Sequence, residues 1–120
     1  MKLRPAVLVL FAALALALAA CGNGDDGAPD PGAVVVEATE FAFDPATVSI
    51  AADTDTDITL DNVGVVEHDW TIDEFDIQIY AEAGEAITET INVPAGTYEI
   101  YCSIPGHREA GMVGTLNVGS

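Results

Sequence analysis

Tyr101-Cys102-Ser103-Ile104-Pro105-Gly106-His107-Arg108-Glu109-Ala110-Gly111-Met112 is the stretch that decides how the rest of the chain is read. On its N-terminal side Tyr98, Ile100 and Cys102 recur with period two, which puts them on one face of a strand. On its C-terminal side Leu116 and Val118 repeat the pattern. Pro105-Gly106 between them marks a turn. One loop joining two strands therefore holds a Cys, a His and a Met, with four residues between each successive pair. All three are possible metal ligands.

Further out, the same short alternations continue. Val34-Val35-Val36 opens a strand; Val48 and Ile50 alternate with Thr47 and Ser49, and Ile58 and Leu60 with Asp57, Thr59 and Asp61. His68, Trp70 and Ile72 share one face, leaving Asp69, Thr71 and Asp73 on the other; Ile87, Ile91 and Val93 form a further run. Asp44-Pro45, Asn62-Val63-Gly64, Ala83-Gly84 and Pro94-Ala95-Gly96 punctuate them. Short strands separated by such turns predict an all-β sandwich. Residues 73–86 are ambiguous between a short strand at Ile77–Tyr80 and a helical turn. No internal repeat is visible.

The ligand set extends beyond the loop. Only one other histidine exists, His68, on the inward face with Trp70. Taken singly, a His on an apolar face, a Cys ending a buried strand and a lone Met all have ordinary core explanations. The set is more specific. Residues 33–120 contain two His, one Cys and one Met, and three of the four lie within eleven residues. Two imidazoles, a thiolate and a thioether are the donors of a blue copper centre. Soft sulfur favours Cu(I) and imidazole serves Cu(II), so a site between those preferences suits electron transfer.

Over residues 33–120 the sequence resembles the cupredoxins, in the group of small bacterial azurin- and plastocyanin-like proteins. The resemblance rests on Glu40-Phe41-Ala42-Phe43-Asp44-Pro45, which is weak, on Glu67-His68-Asp69, and above all on Cys102 to Gly114. It implies a Greek-key β-sandwich of about eight strands with one type 1 copper. His68, Cys102 and His107 would be equatorial ligands and Met112 axial. Many relatives carry Asn after the first histidine; here it is Asp69. An acid there either accepts a hydrogen bond from Ser103, lowering the reduction potential, or simply points to water. Ile104, Pro105 and Gly106, with Val65 and Val66, are expected to frame His107 as an apolar docking patch.

The N-terminus reads as an address. Lys2 and Arg4 precede an uncharged run from Pro5 to Ala20, which is shorter than the roughly 20 apolar residues of a spanning helix. The run ends Leu18-Ala19-Ala20-Cys21, resembling a bacterial lipoprotein signal with Cys21 as the lipid attachment point. Residues 1–20 are thus expected to be a signal peptide, 21–32 an acidic Gly/Pro/Asp tether, and 33–120 the folded domain. This predicts export to the periplasmic or extracellular face of the membrane. It also leaves Cys102 as the only free thiol.

Charge excludes other classes. The chain carries 20 acidic residues against three Lys and Arg, a net charge of −17. Beyond residue 5 the only cation is Arg108. Such a surface repels nucleic acid and anionic lipid head groups. It reads either as steering toward a basic redox partner, of cytochrome or copper-oxidase type, or as adaptation to a salty habitat. The acids are spread along the chain, which favours the habitat. An enzyme with a second copper site would need further histidines, and none is present. A copper storage or delivery module would lean on several Met and His. A monomeric one-electron carrier fits best.

Overall fold

The computed structural model describes residues 33–119. The predicted signal, Cys21 and the tether lie outside the described residues. Nine strands form two sheets: β1 Val34–Thr39, β2 Ala42–Asp44, β3 Thr47–Ala51, β4 Thr56–Asn62, β5 His68–Ile72, β6 Ile77–Ala81, β7 Ala86–Ile91, β8 Gly96–Tyr101 and β9 Val113–Gly119. One sheet runs β2-β1-β4-β7 and the other β3-β9-β8-β5-β6. The expected sandwich is present, with nine strands instead of about eight because the three-residue β2 pairs back onto β1. The ambiguous segment holds both alternatives: a 3-10 turn at Asp73–Phe75, then β6.

Period-two burial explains most of the strands. Val48 and Ile50 on β3, Ile58 and Leu60 on β4, and Leu116 and Val118 on β9 point inward while their neighbours are more exposed. Each such aliphatic side chain, fully buried, contributes on the order of 1.5–3 kcal/mol. Two parallel pairings, β1 with β4 and β3 with β9, tie distant parts of the chain together. The largest buried side chain is Trp70, whose indole N–H has no partner among the described residues.

β5 departs from the expected alternation. All five residues are buried, Asp69 and Thr71 included. On the face assigned to solvent, the Gln78 side chain of neighbouring β6 and Ser103, in the chain leaving β8, bond to Asp69.

Candidate metal centre

Three elements deliver the donors. β5 opens with His68, β8 runs out at Tyr101 just before Cys102, and the loop from Ser103 to Met112 returns to β9. The loop is a compact set of turns. The His107 N–H donates to Ile104 O at 3.0 Å, the Met112 N–H to His107 O at 3.1 Å, and the Cys102 N–H to Met112 O at 3.1 Å. That last bond brings the two sulfur residues side by side. Gly106 and Gly111 take positive φ of 86° and 104°, left-handed conformations that L side chains resist.

The side chains converge. His68 Nδ1 lies 3.2 Å from His107 Nδ1; Cys102 Sγ lies 3.9 Å from the first and 3.4 Å from the second. One nitrogen from each imidazole and the sulfur lie within 4.8 Å of one another. His68, Cys102 and Met112 are fully buried and His107 is 9% exposed. Trp70 packs in the adjoining core, and the half-buried Ile104 packs against it. Pro105, next along the loop, is exposed and does not help to bury the donors.

Burial pushes the Cys102 thiol above its ordinary pKa, because a charged sulfur loses its water. Backbone N–H groups of Asp69, at 3.4 Å, and Ile104 pull it partly back. Two nitrogen lone pairs and a sulfur crowded together in a dry site are the donor set of a soft or borderline cation, and all three offer ligand atoms to one point.

Asp69 does not point to water. Its carboxylate is fully buried and serves purely as an acceptor. It takes the Ser103 N–H at 2.6 Å and the Thr71 hydroxyl at 3.1 Å on Oδ1, and Gln78 Nε2 at 2.8 Å and the Ser103 hydroxyl on Oδ2. It therefore pins the residue after Cys102 to the residue after His68.

Around these lie residues the sequence did not single out. Glu40 Oε1 is 3.0 Å from His68 Nε2 and also accepts the Val65 N–H at 2.9 Å. The bond to His68 first, and that to Val65 second, hold its carboxyl below the ordinary value near 4.5. Fully buried Asn62 organises the loop beneath: its Nδ2 donates to Val66 O at 2.8 Å and Ala81 O at 3.0 Å, and its Oδ1 accepts the Gly64 N–H. Phe41 stacks edge-on to His107, with ring centroids 4.9 Å apart. In sequence, Glu40 and Phe41 are visible only as parts of a weak motif. Their partners lie 28 and 66 residues away, and no local pattern reports that.

Val65 is 82% exposed and Val66 37%; Pro105 and Gly106 are also exposed. With Phe41, 42% exposed, they surround the His107 end with apolar surface. The spread of acids looks different in space. Asp73 and Glu74, distant in the sequence from Glu99, gather with it and with Tyr101 and Arg108 around one surface depression. Arg108 pairs with Glu99 and lies 4.3 Å from the Tyr101 ring centroid.

Residues 7–116 match the model of the cupredoxin-like domain family. No curated protein sequence matches. Among solved structures, the dithionite-reduced auracyanin of Roseiflexus castenholzii superposes with a TM-score of 0.67 at 20% identity, over 75% of this chain and 98% of that one. Auracyanin B gives 0.65 at 25% identity, over 78% and 94%. Auracyanin A of Chloroflexus aurantiacus, described as a "blue" copper protein, gives 0.60 at 25% identity, over 73% and 100%.

Proposed function

The chain belongs to the cupredoxin-like domain family, and from that membership we propose that it is a one-electron carrier outside the cytoplasm, built around a single type 1 copper. The observation that carries this reading is the convergence of His68 Nδ1, His107 Nδ1 and Cys102 Sγ on one buried point. Copper is the cofactor this donor set fits: two imidazoles and one thiolate, with the thioether of buried Met112 on the same loop as a weak fourth donor. When bound, copper supplies a Cu(II)/Cu(I) couple.

The protein's part is to hold the donors still and dry. The Cys102–Met112 and Met112–His107 backbone bonds fix the loop, and Asp69 locks it to β5. Burial of three of the donors excludes water, so little rearranges when the charge at the centre changes by one. His107 is the donor nearest the surface, framed by Phe41, Val65, Val66, Ile104, Pro105 and Gly106. That edge is where an electron would enter or leave, to a cytochrome or copper-oxidase type of partner. Cys21 would carry the lipid that keeps the domain at the membrane face, with residues 22–32 as its tether. Among the described residues no helix is long and apolar enough to span a bilayer.

Titration with Cu(II) tests the reading. The wild type is expected to take up one equivalent and turn intensely blue, and Cys102→Ser to remain colourless because a hydroxyl is a hard, weak donor. Equal colour in the two proteins would remove Cys102 from the centre. For the anchor, the full chain is expected in the membrane fraction and Cys21→Ser in the soluble one. An unmodified N-terminus by intact mass would contradict lipidation.

A further inference from the structure

The two imidazoles of the centre are held differently. His107 meets its neighbours through Nδ1 and the flank of its ring. His68 is gripped from behind as well, where its Nε2 lies 3.0 Å from Glu40 Oε1. A carboxylate oxygen only accepts, so the proton of the neutral imidazole resides on Nε2 and the Nδ1 lone pair faces Cys102 and His107. The same oxygen also receives the Val65 N–H at 2.9 Å and, more distantly, the Val66 N–H at 3.4 Å. A second observation is independent of these bonds. A Cβ on Gly64 would overlap the Glu40 carboxylate and come within 3.1 Å of His68 Nε2. The loop is therefore bare where the carboxylate passes, and Asn62 holds it in that path through the Gly64 N–H.

We propose that Glu40 is a positioning residue of the metal centre: it fixes the tautomer and orientation of His68 and, through that imidazole, biases the site toward the more highly charged Cu(II). This deepens the copper reading above and rests on it. Partners of this kind make the ligand imidazole more basic, and losing one costs typically 10–100-fold in metal affinity. A better nitrogen donor favours Cu(II) over Cu(I). Glu40 thus lowers the reduction potential, while the lone oxygen spanning Val65, Val66 and His68 keeps the ligand from turning away from the site.

Three full-chain variants separate the roles. Glu40→Ala removes both bond and charge. Glu40→Gln retains an amide oxygen for Val65 and His68 and loses only the charge. Gly64→Ala displaces the carboxylate without altering it. Cu(II) affinity is measured by chelator competition, the potential by redox titration, and the His68 Nε2–H by NMR of the copper-free protein. Glu40→Ala is expected to weaken Cu(II) binding about 10- to 100-fold, and Gly64→Ala to weaken it in the same direction. In Glu40→Gln the Cu(II)/Cu(I) affinity ratio is expected to fall about tenfold, equivalent to a rise of about 59 mV for one electron. The Nε2–H resonance should persist in Glu40→Gln and vanish in Glu40→Ala. If Glu40→Ala does not fold, Glu40→Gln alone decides through its potential. A blue wild type with an unchanged potential in Glu40→Gln would overturn the proposal and leave Glu40 as a staple for the Val65 loop. A wild type that never turns blue would overturn the copper reading itself.

Discussion

Asp69 illustrates what one residue does at this site. A buried carboxylate accepts from Ser103 twice, from Thr71 and from Gln78, and no donor of its own is needed. Asn at this position would present an amide N–H₂ to one of those donors, leaving a buried pair mismatched at a cost of about 1–3 kcal/mol. It would also remove a negative charge beside the Cys102 thiolate. Asp69→Asn is therefore expected to raise the reduction potential and lower the melting temperature together; a variant with neither change would contradict the pinning role. Met112 offers a second test. Met112→Leu should keep copper and colour yet raise the potential, and Met112→Gln should lower it, because an amide oxygen supports Cu(II). Voltammetry showing no change in either would make Met112 ordinary core. Tyr101 supplies a pH dependence. Its hydroxyl donates to Asp73 Oδ1 at 2.6 Å, which, ahead of burial, raises its pKa above 10. The folded value exceeds the unfolded one, so the stability from this bond is present in full below about pH 10 and is lost as pH rises through the folded pKa. Tyr101→Phe is expected to abolish that alkaline loss, which denaturation curves at stepped pH would detect.

Among elements, the strands with one covered face were legible. β3, β4 and β9 alternate because one side meets the opposite sheet and the other does not. β5 was half legible. Its period two correctly put His68, Trp70 and Ile72 inward, but nothing local shows that Gln78 and the Ser103 turn bond to Asp69 on the reverse side. The Cys102, His107 and Met112 spacing was legible because all three ligands fall on one loop. Glu40 and Asn62 were not, since their roles exist only after β1, β4 and β5 assemble. Asn62 carries the prediction at this scale. It ends β4 and satisfies Val66 O, Ala81 O and the Gly64 N–H from a fully buried position. Asn62→Ala strands those groups and should destabilise the domain by about 2–3 kcal/mol. Denaturant unfolding within a few tenths of wild type would show that the loop does not depend on it.

At the scale of the whole molecule, charge dominates. A net charge of −17 repels itself at low ionic strength. At 1 M salt the Debye length shrinks to about 3 Å and that repulsion is relieved. If the acids serve a salty habitat, the melting temperature should climb with KCl, by about 4–8 °C for each kcal/mol relieved in a domain of this size. If they steer a basic partner, transfer rates should instead collapse in salt. The group of Asp73, Glu74 and Glu99 around Tyr101 gives the steering alternative a definite place on the surface, with Arg108 offsetting part of it. Stopped-flow rates across a KCl series, with Asp73→Asn and Glu74→Gln as controls, distinguish the two. Either role requires a centre that passes one electron and keeps its metal. A redox titration of the copper-loaded full chain, followed at the blue band through repeated cycles, tests that most directly. A reversible one-electron curve is expected, with the band restored after each cycle. Release of copper on reduction, with the colour failing to return, would contradict it and mark the protein as a metal carrier instead.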